Sequence, residues 1–139
     1  SGMRSLHGMF VHGFPNVFVL GAAQGANLIS NYPHNLAEGA KTIAAVVGHA
    51  EAEGVAAFEV TAEAEDDWVE LLRGGAGRVF GGTFLTECTP GYYNGEGRGR
   101  PGEGLIDAAG YPDGAVAFFA LADAWRSSGD FDGLEMRPS

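Results

Sequence analysis

The four residues Val17-Phe18-Val19-Leu20 form an apolar run with no polar alternation, and the turn after them is punctuated by Gly21 and Gly25. A short strand that is apolar throughout is one covered on both faces, as inside a parallel sheet. The chain supplies few companions for it. Other β-rich stretches are brief: Met9-Phe10-Val11 across a Gly-Phe-Pro-Asn turn, Ala56 to Thr61, a possible strand around Thr83 to Thr86, and Gly133 to Arg137, which reads as an edge strand. Such a strand needs neighbours that this polypeptide does not carry.

The helices are easier to read. From about Asn35 to Glu53, Leu36, Ala40, Ile43, Val47 and Ala50 recur at three- and four-residue steps and predict one buried stripe. Ser30, Asn31 or Asn35 can cap that helix, Pro33 suits its first turn and Gly54 ends it. Thr61 can cap a second helix with Ala64, Trp68, Leu71 and Leu72 on its apolar face, and Gly74-Gly75 are expected to stop it. Glu63, Glu65, Asp66 and Asp67 read as a solvated acidic helix start. Residues 74–114 are rich in glycine and read mostly as loop, a length that is usually functional or disordered. Val116 to Ser128 predicts a third helix with Phe118, Leu121, Ala122 and Trp125 inward, stopped by Gly129. The fold class is α/β, more narrowly an α+β fragment.

Composition narrows the partners. The 139 residues suffice for one compact domain, and 45% hydrophobic content can build a core. A net charge of −10, with only Lys41 and seven scattered arginines, argues against a nucleic-acid or anionic-membrane surface. No run reaches the roughly 20 apolar residues of a membrane helix, and no signal peptide is visible. The single cysteine, Cys88, suits a reducing compartment, so a cytoplasmic location is expected. The opening "SGMRSLHGMF" reads as a tag remnant or a cut inside a longer chain.

Candidate sites are few. The turn from Gly21 to Asn27 comes after a strand-like run and precedes a helix, but it lacks the G-x-G-x-x-G spacing that cradles a pyrophosphate. It is either an ordinary strand-to-helix loop or a place where free N–H groups and a helix dipole meet an electron-rich group. His7, His12, His34 and His49 match no zinc spacing, so no metal is expected. Cys88 has no base nearby in sequence and reads as passive. The loop "TPGYYNGEG" puts Tyr92, Tyr93 and Asn94 among glycines, where they can stack on a ligand or pin the loop to its own domain.

Taken in order, "LHGMFVHGFPNVFVLG", "GANLISNYPHN", "VTAEAEDDWVELL", "ECTPGYYNGEG" and "ADAWRSSGDFDGLEMR" resemble the C-terminal part of flavin-dependent Baeyer–Villiger monooxygenases, the cyclohexanone and phenylacetone monooxygenase group. The resemblance runs over nearly the whole chain. It implies that residues 1–54 end an FAD-binding domain with its last strand, a flavin-edge loop and a helix. Residues 55–139 would form a C-terminal segment with two helices, a glycine-rich loop and a final strand. It implies FAD and NADPH as cofactors, with Gly21, Gln24, Gly25, Asn27 and Leu28 beside the flavin. Tyr92, Tyr93 and Asn94 fall in a family segment near NADPH and substrate, although the family's tryptophan is replaced there by tyrosines.

The departures matter too. No G-x-G-x-x-G fingerprint stands between a strand and a helix, the string Gly97 to Gly102 falling in the glycine-rich loop; the signature F-x-G-x-x-x-H-x-x-x-W is absent, and no arginine matches the family's catalytic one. The resemblance therefore implies a fragment of an enzyme that uses O2 to convert a ketone to an ester or lactone. The fragment would supply one wall of the flavin and substrate site and no catalytic residue, and it would be inactive alone. The alternative is a non-enzymatic, acidic α/β association module. In either case Val17–Leu20 would pair with the remainder of an enzyme or with a second copy of the chain.

Overall fold

The computed structural model describes residues 2–21, 23–26, 30–79 and 109–138. In chain order the elements are α1 (Tyr32–Glu53), β1 (Val55–Val60), α2 (Ala62–Val79), α3 (Ala115–Ser128) and β2 (Leu134–Pro138). The mixed helix-and-strand class expected from the sequence is what is observed. β1 and β2 pair antiparallel, with Phe58 opposite Met136 and Val60 opposite Leu134. Phe58 and Val60 are buried, as period-two alternation requires.

Local chemistry accounts for the boundaries. Asn31 caps α1, its Oδ1 accepting from His34 N at 3.0 Å, and Gly54 closes the helix in the left-handed conformation at φ 66°. Thr61 caps α2, its Oγ1 accepting from Ala64 N at 3.1 Å. Gly129, at φ 73°, ends α3.

Four sequence expectations are corrected. First, α2 does not stop at Gly74-Gly75 but continues to Val79. A Cβ on Gly75 would collide with the Pro112 ring, so the glycine serves a close approach between segments and not a helix end. Second, the buried face of α1 is Asn35, Glu38, Gly39, Thr42 and Val46, while Ala40 and Val47 are exposed. The helix is turned by polar contacts to α3 and by Gly39, where a Cβ would stand 2.7 Å from Leu20 Cδ2. Third, Glu65 is not solvated. It is buried, pairs with Arg4 Nε at 3.2 Å and accepts from His12 N at 2.7 Å. Fourth, Met9–Val11 is not a strand of a sheet, while Val17–Leu20, expected to find its ladder partners outside this chain, has none among the described residues. The first lies around a turn closed by an isolated Leu6–Phe10 bridge, and the second is tied by Val19 N donating to Met9 O at 2.8 Å. A strand exists only through its neighbours, and the described residues offer it no ladder.

A shared hydrophobic core joins the described segments. Leu6, Phe10 and Val46 meet Phe58, Val60, Trp68, Leu72 and Phe131, so residues on either side of position 54 contribute to it. The turn 13–16 is pinned to the outer edge of β1 by Asn16 (φ 59°). Its N–H donates to Phe58 O at 3.0 Å, its Oδ1 accepts from Phe58 N at 3.0 Å, and its Nδ2 donates to Ala56 O at 3.2 Å.

Candidate functional site

Loop 23–26 is fastened from several sides. Gln24 N donates to Ala109 O at 2.7 Å, and Tyr111 N donates to Gly25 O at 2.8 Å. From α2, Trp68 Nε1 donates to Gln24 O at 2.8 Å. The Gln24 side chain is fully buried: its Nε2 donates to Met3 O at 2.7 Å and its Oε1 accepts from Ser5 Oγ at 2.6 Å. The backbone at Gly25 runs so close that a Cβ would lie 3.3 Å from His7 O and 3.4 Å from Phe118 Cζ.

This loop, residues 19–21, the first half of α1 and the inner face of α3 surround a cavity of about 30 Å³. Leu20, Gly21, Gly25, Phe118 and Phe119 supply its apolar lining, and Asn35, Glu38 and Thr42 its polar part. The space suits roughly one water-sized group. Outside it the flank is open. Val17 and Leu20 are 43% and 48% exposed, and no described residue lies within 4 Å of where a Gly21 Cβ would stand.

The polar part is built by one ion-pair network. Arg126 of α3 donates from Nη2 to Glu38 Oε2 at 3.0 Å and from Nη1 to Thr42 Oγ1 at 3.1 Å. Lys41 Nζ reaches Glu38 Oε1 at 2.6 Å. The Lys41 hydrogen bond, helped by Arg126 and opposed by burial, holds the Glu38 carboxyl below its usual range. His7 is different. Burial lowers its pKa to about 4, so its imidazole is neutral near pH 7. Its ring stands edge-on to Trp68 and Trp125, with centroids 4.7 and 5.3 Å away.

Among the expected site residues, Gly21 and Gly25 line the same cavity. Gln24 does not line it and is a strut of the loop. Asn27, Leu28, Tyr92, Tyr93 and Asn94 lie outside the described residues, as do Cys88 and the stretch Thr83 to Thr86. Sequence reasoning missed Glu38, Thr42 and Arg126. The four-residue spacing of Glu38 and Thr42 within an alanine-rich helix was the available signal. The histidines are placed by packing and backbone contacts: His34 against Phe119 at 4.7 Å, His49 against Phe131 at 5.0 Å, and His12 Nδ1 2.9 Å from Val60 O.

The aliphatic flank of Val17 and Leu20 is exposed, and Gly21 adds no side chain to it, so the flank offers an open apolar face. A pyrophosphate does not fit, because Gln24 N–H is already used and no Lys or Arg is among the described residues lining the cavity.

Over nearly its whole length the chain is similar to a segment of Baeyer–Villiger monooxygenases. The Baeyer–Villiger monooxygenase of Streptomyces coelicolor is 47% identical over 125 residues, covering 90% of this chain and 19% of that protein. The FAD-binding monooxygenase hmp7 of Hypomyces subiculosus is 38% identical over 135 residues, covering 96% of this chain and 21% of its own length. Among solved structures, the polycyclic ketone monooxygenase of Thermothelomyces thermophila superposes with a TM-score of 0.79 at 30% identity, over 98% of this chain and 21% of that one. An oxidised steroid monooxygenase bound to NADP shares the fold, with a TM-score of 0.75 at 20% identity, over 99% of this chain and 23% of that one. The chain spans about a fifth of the length of the curated relatives it matches. No protein-family profile matches it.

Proposed function

We propose that this chain is the C-terminal wall of the flavin and substrate site in an FAD- and NADPH-dependent Baeyer–Villiger monooxygenase. Residues 1–54 complete the FAD-binding domain in this reading, and residues 55–139 form the segment after it. The observation that carries the reading is the open flank at Val17, Leu20 and Gly21, which leads into the cavity beside Gly25. The similarity to monooxygenases along nearly the whole chain supports it. FAD supplies the redox chemistry by which one oxygen atom of O2 enters the ketone, NADPH being the reductant. The chain's own residues orient and exclude water. Gly21 keeps a clear surface for the ring, Gly25 lets the loop close on His7 and Phe118, and the aromatic lining of the cavity limits the entry of water. The Glu38–Arg126 pair fixes α3 against α1. Asn27, Leu28, Tyr92, Tyr93 and Asn94 extend the wall. No general acid, base or nucleophile comes from this segment, and the enzyme works in the cytoplasm.

The exposed apolar flank supports a corollary: the remainder of the enzyme covers Val17–Leu20, and a second copy covers it when the chain is alone. The test is a chimaera in which this chain replaces the matching fifth of the S. coelicolor relative. The chimaera is expected to purify yellow and oxidise ketones, and Gly21→Trp to bleach it. The chain alone is expected to be colourless and inactive with NADPH. A folded chimaera without flavin, or one indifferent to Gly21→Trp, overturns the reading.

A further inference from the structure

A second cleft lies on the other side of His7. It has a volume of about 560 Å³, opens to solvent, and is lined by His7, Trp68, Trp125, Glu63, Asp67 and Asp132 among others. That volume is in the range of small-molecule sites. We propose that this cleft binds an organic cation, an alkylammonium or guanidinium group, seated among the two tryptophans and balanced by the three carboxylates.

Three observations carry this. The first is charge. Glu65 and Asp66 at the start of α2 are both held by Arg4, but their neighbours Glu63 and Asp67 pair with no cation among the described residues, and neither does Asp132. These three face one cleft, in a chain whose net charge of −10 raises the local cation concentration further. The second is His7. Its ring is partly buried, is packed against Trp68, Trp125 and Phe118, and makes no hydrogen bond among the described residues, yet it lines the cleft. Burial keeps it neutral, so one ring nitrogen is available to accept from an N–H donor. The third is the aromatic wall. Trp125 is partly exposed and offers the π-system that attracts ammonium and guanidinium groups, while Trp68, buried and stacked on Tyr111, backs the wall behind it.

The cleft also furnishes its own reporter, because Trp68 and Trp125 are the only tryptophans in the chain. The chain is titrated with n-butylguanidinium, n-butylammonium and the peptide acetyl-Gly-Arg-Gly-amide, against butylurea and sodium chloride at matched ionic strength, while tryptophan emission is read. The two small cations are expected to give saturable changes, and butylurea and sodium chloride none. The paired substitution Glu63→Gln, Asp67→Asn is expected to weaken binding about fivefold or more with an unchanged circular-dichroism spectrum. If that variant unfolds, Asp132→Asn, in an exposed turn, is expected to weaken binding in the same direction. Tighter binding of the peptide than of n-butylguanidinium assigns the cation to a basic polypeptide side chain, and equal or weaker binding assigns it to a small amine. Absence of saturation by either small cation, an equal response to butylurea, or folded variants that bind unchanged would overturn the proposal.

Discussion

Arg126 and Glu38 form an ion pair across the α1–α3 contact, at 3.0 Å, with the arginine side chain only 9% and the glutamate side chain 11% exposed. The arginine also holds Thr42 Oγ1, so one guanidinium fixes two positions a helical turn apart. Arg126→Ala is expected to destabilise the chain by about 2–4 kcal/mol in urea unfolding, since a buried carboxylate loses its deepest partner. Lys41 remains on Glu38, which limits the loss. Glu38→Gln is expected to cost less than Arg126→Ala. The reverse order would show that depriving the buried arginine of its carboxylate costs more than leaving that carboxylate with Lys41 alone.

The tandem glycines in α2 separate propensity from packing. Gly74 has no described residue within 4 Å of where a Cβ would stand, whereas Gly75 lies against Pro112. Gly74→Ala is expected to raise stability by about 0.5–1 kcal/mol through helix propensity. Gly75→Ala is expected to lower it by about 1–3 kcal/mol through overpacking. Thermal melts of the two variants in one buffer give the comparison directly.

Acid sensitivity is expected from His7. Its folded-state pKa is depressed to about 4 from 6.5, so between those values the unfolded chain binds a proton that the folded chain refuses. The stability contribution is therefore complete above pH 6.5 and is lost as pH falls toward 4, by about 3 kcal/mol in all. Unfolding free energies measured between pH 7 and 4 are expected to fall for the parent chain and to fall less steeply for His7→Gln. An identical slope in both would place the acid transition elsewhere.

Gln24 acts as a strut, which has its own signature. Gln24→Ala leaves Ser5 Oγ and Met3 O without their buried partner, at an expected cost of about 1–3 kcal/mol. In the chimaera this variant is expected to lower the melting temperature while the flavin absorbance per folded molecule stays the same. A selective loss of flavin would make Gln24 a cofactor contact.

How much of the fold is legible in the sequence depends on whether the deciding contact is local. Asn31, Gly54, Thr61 and Gly129 act within a few residues of themselves, and their capping roles are readable from residue type. β1 and β2 are readable for the same reason, each bounded by a glycine and bearing β-formers. Gly75 misleads because its partner, Pro112, is far along the chain. The face of α1 misleads because Arg126 draws polar residues inward, which an apolar period cannot reveal. Glu65 misleads because Arg4 and His12 reach it from the opposite end of the sequence. Val17–Leu20 is recognisable as a run that wants neighbours, and the described residues give it none of a sheet's ladder. Of the cavity, Gly21 and Gly25 are marked by glycine punctuation, while Glu38 and Thr42 emerge only once the helices are packed.

The hook made by Asn16 has a consequence for how such a chain survives in solution. By occupying the outer rim of β1 with its backbone and side-chain amides, it leaves the two-stranded ribbon only β2's side to extend, and that side carries charged Glu135 and Arg137 and ends at Pro138. Fibril-like stacking of ribbon on ribbon is thereby blocked at one end and discouraged at the other.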